Sequence, residues 1–320
     1  MTMRLERSML AVPATSPHFF AKAAASEADI IFLDLEDSVT PERKNDARTS
    51  VIEALNTVDW RDKNMSVRIN EIDSEWGYRD IVHIVEQCPR LDALLVPKVA
   101  AGEDIRFVAR LLDALETHLN RDRSILIDAL IETPAGVTNV DEIAAASPRL
   151  SSLSFGVGDY SVAMQAPQTS FGSPDPRYGI LGAEDGNGKR GFHWNDQWHY
   201  ALARIANACH ANGVMPVDGP FTDFRDAEGY RACAHRARAL GYAGKWAIHP
   251  SQIVAANEVF SPRVEELDLA RRINAAMAKA MKQGDGAVQL DGRMVDLAHV
   301  KQASALLLRQ ETIAKRASQA

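Results

Sequence analysis

Eight short apolar runs pace this chain, each followed by a stretch with helical spacing, and few folds accommodate that rhythm. The runs are Ser8 to Val12, Ile30 to Leu35, Ser66 to Ile69, Ala93 to Val96, Ile125 to Ile131, Leu153 to Val157, Val214 to Val217 and Lys245 to Ile248. Several are continuous rather than alternating, as strands buried on both faces of a parallel sheet require. Amphipathic stretches such as Glu103 to Leu119 and Asp226 to Leu240 fit between them. Eight strand–helix units are the count of a (β/α)8 TIM barrel, an α/β fold. A doubly wound open sheet is the competing architecture, but it usually needs fewer strands, and no glycine fingerprint follows the first run.

Two regions depart from the rhythm. Residues 165–197 form a long stretch rich in Gly, Pro and Asp, and loops of that length are usually functional or mobile. After the eighth run the chain continues. The barrel is therefore expected over residues 1–260 and a C-terminal extension over 261–320. In the extension, Ser261 is expected to cap, and Pro262 to open, a helix reaching about Lys282. AVQLDGRMVD reads as a hairpin around Asp291-Gly292, and a last helix starts at about Leu297.

With 320 residues, 46% hydrophobic and 25% charged, the chain has material for a large core in one domain or two. A net charge of -7 argues against a nucleic-acid partner, which needs clustered Lys and Arg. It leaves room for an anionic small molecule in a locally basic pocket. Cys88, Cys209 and Cys233 are unpatterned and odd in number, which fits buried thiols better than disulfides or a zinc site. The N-terminal segment has no apolar h-region and no run approaches membrane-spanning length, so a soluble, cytoplasmic protein is expected.

In a barrel, the residues just beyond each strand form the active face. Here they are Asp34, Glu36 and Asp37, Arg68 and Asn70, Lys98, Glu132, Asp159, Asp218 and His249. Each has a structural explanation as a helix cap or surface charge; the functional reading rests on their convergence. Glu132 precedes Thr133-Pro134, a helix-start signal expected to keep its carboxylate ionised. With Asp159 it offers the one or two carboxylates that Mg²⁺ takes, although both could simply cap helices. Gly156 and Gly158 allow close backbone approach to an anion, or merely a tight turn. Arg68 suits an oxyanion, and it could equally pair with Asp34 or Glu36 across neighbouring strands. Lys98 could form a Schiff base, but surrounding acids favour a charged ammonium. His249 reads as a residue that holds a loop.

The motifs RSMLAVPATSPHFFAKA, FLDLEDSV, VRIN, LVPK, IETPAG, GVGD and GKWAIHPSQI stand in the order seen in the citrate lyase β-subunit-like (HpcH/HpaI aldolase) family of Mg²⁺-dependent acyl-CoA lyases, which the chain resembles from about Arg7 to the final helix. The segment NDQWHYALARIANACHANGV, with the long loop before it, is most similar to the malyl-CoA/β-methylmalyl-CoA lyase branch. The resemblance implies Glu132 and Asp159 as ligands of Mg²⁺ (or Mn²⁺), Arg68 at the thioester oxygen, and Glu36 and Asp37 near metal-bound water. It further implies that Phe19, Phe20 and Lys22 lie near the CoA nucleotide, and that Gly156, Val157 and Gly158 hold the substrate carboxylate. The extension would act as a lid on a neighbouring subunit of a homotrimer or homohexamer, with Asp296 of GRMVD as the base. From spacing alone, Asp296 reads as the cap of the last helix. The chain departs from the family at Gly158, where an acid or asparagine is common, and at Tyr160, where leucine is common. Both flank the acyl-acceptor pocket and leave the acyl group open.

The reaction so implied is reversible cleavage of malyl-CoA, or β-methylmalyl-CoA, to glyoxylate and acetyl-CoA, or propionyl-CoA. Alternatives are malyl-CoA thioester hydrolysis, citramalyl-CoA cleavage, and a CoA-binding subunit that needs partners.

Overall fold

The computed structural model describes residues 4–167 and 175–318, so part of the long loop lies outside the described residues. The chain forms two compact units, one of Glu6–Val259 and one of Phe260–Ala320 with the residues before Glu6.

In the larger unit eight parallel strands close into a barrel. They are β1 (Ser8–Pro13), β2 (Ile30–Asp34), β3 (Asn64–Arg68), β4 (Ala93–Val96), β5 (Leu126–Ile131), β6 (Leu150–Phe155), β9 (Met215–Asp218) and β10 (Gly244–Ala247), while β7 (Gly179–Glu184) and β8 (Arg190–Trp194) form a separate antiparallel pair. Closure comes from β1, which pairs with both β2 and β10. This is the expected (β/α)8 architecture. All five residues of β2 are buried, as a strand between a filled interior and a helix layer must be. Met9, Ile30, Phe32, Leu95, Leu130, Val217 and Trp246 pack together as one buried cluster. The helix Gly102–Leu119 buries Ile105, Val108, Leu112 and Leu115, a three-and-four spacing, and ends at Asn120 in the left-handed region.

Three expectations need correction. The sixth strand starts at Leu150 rather than Leu153 and ends at Phe155, with Val157 already helical. Its serines hid it. The Ser152 hydroxyl donates to Asp128 at 2.8 Å and Ser154 accepts from the Trp246 indole at 3.0 Å, so buried polar positions interrupt the apolar run. The region 165–197 contains the β7–β8 hairpin, whose residues are almost all exposed and so carry no burial-driven periodicity. The helix after the barrel is Val264–Lys282 and is capped at Arg263, not Ser261, because Glu266 reaches back to the Arg263 N–H at 2.8 Å.

In the smaller unit that helix packs against the helix Leu297–Ala317, with the hairpin β11 (Ala287–Leu290) and β12 (Arg293–Asp296) between them in sequence. Asp291 and Gly292 both have positive φ, as the two-residue turn demands.

Candidate active site at the strand ends

Register brings the first functional pair together. Asp34 and Arg68 are partners at the ends of β2 and β3, so their side chains leave the barrel side by side. Arg68 Nε and Nη2 donate to the two Asp34 oxygens, each at 2.7 Å. Its Nη1 lies 2.8 Å from Glu36 Oε2 and 3.1 Å from Asp37 Oδ2. The guanidinium lies 5.9 Å from the centre of the Trp246 ring. Burial alone would raise the Asp34 carboxyl, but the charge and hydrogen bonds of Arg68 hold it below its ordinary value. Both readings of Arg68 are compatible: the carboxylates orient it, and its permanent charge remains at the rim.

Glu36 is buried, and that burial pushes its carboxyl up to about 7, with Arg68 opposing and Asp37 reinforcing the rise. Lys44 fixes the backbone here. Its ammonium donates to the carbonyls of Leu35 and Glu36, both at 2.8 Å, and faces the Trp76 ring. Lys44 was missed in the sequence because PERKNDAR looks like an ordinary solvated helix start.

The second pair is assembled the same way. Ile131 and Phe155 are register partners, so Glu132 emerges beside Gly156. A Cβ on Gly156 would stand 2.5 Å from the Glu132 Cβ and 2.6 Å from its Oε2. The glycine is there to admit the glutamate. Glu132 Oε1 accepts the Lys98 backbone N–H at 2.9 Å. The expected helix-terminus stabilisation of Glu132 is not what governs it. Thr133 takes the cap, accepting from Gly136, and the helix behind it spans only Pro134–Thr138. Burial, then the charges of Glu36 and Asp159, push the Glu132 carboxyl well above its ordinary value. Asp159, half-exposed, is raised by burial and by Asp37, against Lys98 and Arg68.

This cluster therefore holds more carboxylate than its cations offset, and its donors are all oxygen. That is the chemistry of a hard divalent ion. Among the described residues no three His, Cys, Asp or Glu side chains gather in metal-binding geometry. Mg²⁺ commonly takes two carboxylates and completes its shell with water, so Glu132 and Asp159 fit it.

Of the three residues expected at a substrate carboxylate, Gly156 spends its N–H on the Ile131 carbonyl at 2.9 Å. Val157 and Gly158 open the helix Val157–Ala163, and first-turn N–H groups have no intrahelical acceptor. Elsewhere on the rim, Asn70 is tied to Asp80, which also holds Arg48, and Asp218 pairs with Lys245 at 2.6 Å. These two positions brace the barrel. Lys98 keeps its charge, its ammonium hydrogen-bonded to Glu71; although burial opposes it, the neighbouring acids raise it above its ordinary value, which disfavours a Schiff base.

A cavity of about 410 Å³ opens between the end of β1 and the segment after β10, lined by Phe19, Lys22, Ile248, His249 and Pro250 among others. Phe19 is half-exposed there. Phe20 is corrected: it is buried, with its ring 6.1 Å from that of Trp60, because its position on the helix Phe20–Ala24 faces the core. His249 holds its loop through Ser251 at 2.8 Å and stacks on Phe224 at 4.8 Å, and it also lines this cavity, which the sequence reading missed. Asp296 caps the last helix, accepting from Ala298 N at 2.9 Å and pairing with the His299 ring at 2.7 Å.

A closed parallel barrel with an arginine nested in acids beside a glutamate–aspartate pair defines an α/β-barrel enzyme with a cation-demanding rim. Residues 7–250 match the HpcH/HpaI aldolase/citrate lyase family, and the chain belongs to it. It is 45% identical over 311 residues to an L-malyl-CoA/β-methylmalyl-CoA lyase of Cereibacter sphaeroides, covering 97% of this chain and 96% of that one. A (3S)-malyl-CoA thioesterase of the same species is 34% identical over 308 residues, covering 96% and 95%. Among solved structures, the protein CitE from Mycobacterium tuberculosis in complex with magnesium, acetoacetate and coenzyme A superposes with a TM-score of 0.72 at 26% identity, covering 97% of this chain and 99% of that one.

Proposed function

We propose that this protein is a divalent-metal-dependent carbon–carbon lyase that reversibly cleaves malyl-CoA, or β-methylmalyl-CoA, to glyoxylate and acetyl-CoA, or propionyl-CoA. The observation that carries it is the convergence on one rim of Arg68 and the Glu132–Asp159 pair. The likeness to the malyl-CoA lyase narrows the substrate.

The chemical difficulty is a carbanion next to a thioester. Delocalised, its charge rests on the thioester oxygen, where a preorganised guanidinium is worth most. Arg68 is preorganised by Asp34 and Glu36. Its contact with the more exposed Asp37 is the one a thioester oxygen can displace. Glu132 and Asp159 would hold Mg²⁺ (Mn²⁺ is compatible with the same donors), which when bound polarises the hydroxyl-bearing carbon's oxygen. Val157 and Gly158 would offer N–H groups to the substrate carboxylate, and the Phe19–Lys22–His249 cavity would take the CoA nucleotide. Glu36 and Asp37 would orient water at the metal. For condensation, a base must take a proton from the acyl carbon and return it in cleavage. Asp296 of a neighbouring subunit is the candidate, with the C-terminal unit as lid of a homotrimer or homohexamer. Among the described residues no helix is long and apolar enough to cross a membrane, which is compatible with a cytoplasmic enzyme.

The thioesterase relative supports a second outcome at the same site, in which water attacks the malyl-CoA thioester carbonyl and its C–S bond breaks, releasing free malate and CoA. A panel of CoA thioesters incubated with the purified chain and Mg²⁺ separates the two. Glyoxylate with acetyl-CoA, abolished by EDTA, is expected. Malate with free thiol would replace the lyase by the hydrolase, and full activity in EDTA would remove the metal.

A further inference from the structure

Lys98 is one of five described non-glycine residues with positive φ, at 52°. That conformation is disfavoured for a residue with a Cβ, and here it aims both ends of the residue into the rim. The backbone N–H donates to Glu132 Oε1 at 2.9 Å. The ammonium is hydrogen-bonded to Glu71, 3.3 Å from Glu36 Oε1 and 4.0 Å from Asp159 Oδ2. One residue therefore hydrogen-bonds one carboxylate of the proposed metal pair through its peptide and sets its charge 4.0 Å from the other.

We propose that Lys98 is a positioning residue that fixes Glu132 through its backbone while its ammonium competes with the divalent cation for Asp159, holding the metal in an exchangeable range. The inference rests on the metal-dependent reading above. A fixed positive charge beside a half-buried ligand repels a second cation and shares that ligand's charge with it. The peptide N–H acts in the opposite sense. By occupying one oxygen of Glu132 it holds the carboxylate in place and leaves the other oxygen for the ion. Glu71 restrains the ammonium from the loop after β3, so it leans on Asp159 without covering it.

The test is calorimetric titration of Mg²⁺ into the metal-freed, full-length protein and its Lys98 variants at one pH and ionic strength. Lys98→Met keeps the peptide and removes the charge; it should bind Mg²⁺ about tenfold more tightly, as expected when one of two cations sharing a carboxylate is taken away. Lys98→Arg keeps the charge and should stay within about twofold of the parent. Equal or weaker binding by Lys98→Met overturns the proposal. Should that variant fail to fold, Lys98→Asn, neutral and tolerant of positive φ, is titrated in its place with the same two outcomes. No Mg²⁺ binding by the unsubstituted protein would overturn the metal-dependent reading itself and this inference with it. Binding by the parent that is unaltered in the variants removes Lys98 alone.

Discussion

Glu36 illustrates how burial sets chemistry at a single residue. Its carboxyl, raised to about 7 by burial, stays protonated in the folded protein over a range where the unfolded chain has already lost that proton. The sign follows. Between an unfolded value of 4.5 and about 7 the folded state binds the extra proton, so this contribution to stability is complete below the lower value and is lost as pH rises through the upper one. Thermal unfolding of the metal-free protein should therefore show Glu36→Gln more stable than the parent at pH 8, by on the order of 3 kcal/mol, and indistinguishable from it only below the unfolded value of 4.5. An unchanged or lower melting temperature at pH 8 would mean that the ion pair with Arg68 outweighs the burial of the charge. The pairing of Asp34 with Arg68 was legible in the sequence as two charges ending adjacent strands. The clamp from Lys44 was not, because its partners are backbone carbonyls, which carry no sequence signature.

At the scale of elements, the junction between β6 and the helix that follows decides whether Glu132 has room. Gly156→Ala puts a methyl 2.5 Å from the Glu132 Cβ, closer than atoms can stand, and neither strand can retreat from a closed ladder. Magnesium affinity should fall at least about tenfold while far-UV circular dichroism is retained; parent-like affinity would show that Glu132 can bind metal from another rotamer. The elements legible in advance were those whose two faces differ or are both apolar. β2 and the helix Gly102–Leu119 match their expected spans to within a residue. β6 escaped at its N-terminal end because Ser151 and Ser152 interrupt it, and β7–β8 escaped because an exposed hairpin has no buried side to pattern it. The Asp291-Gly292 turn was legible because only a positive-φ pair closes such a hairpin tightly.

For the whole molecule, the proposal that Asp296 serves a neighbouring subunit can be tested by complementation. Arg68→Ala should reduce turnover by roughly 10²–10³-fold as an oxyanion donor is lost. Asp296→Asn should also be inactive, though still folded and still binding CoA. Coexpressed, the two should form mixed oligomers in which some sites join an intact Arg68 to an intact Asp296, and lyase activity should return. No recovery in verified mixed oligomers would place Asp296 in the service of its own barrel. The eight-strand barrel was predictable from the rhythm of the chain, whereas the assembly and the reach of the C-terminal unit depend on surfaces that a single chain's periodicity does not encode.

The closure of the barrel through β1 also has a bearing on biosynthesis. β1 hydrogen-bonds to β10, which begins at Gly244 and is therefore synthesised more than two hundred residues later. Until that late segment is translated, one flank of the nascent sheet stays unzipped, with its amide and carbonyl row open to other chains. Final closure must therefore follow synthesis of more than two hundred residues, a non-local step that is intrinsically slow. Shortened translation products ending before Gly244 should accordingly be substrates for chaperones and proteases rather than small working enzymes.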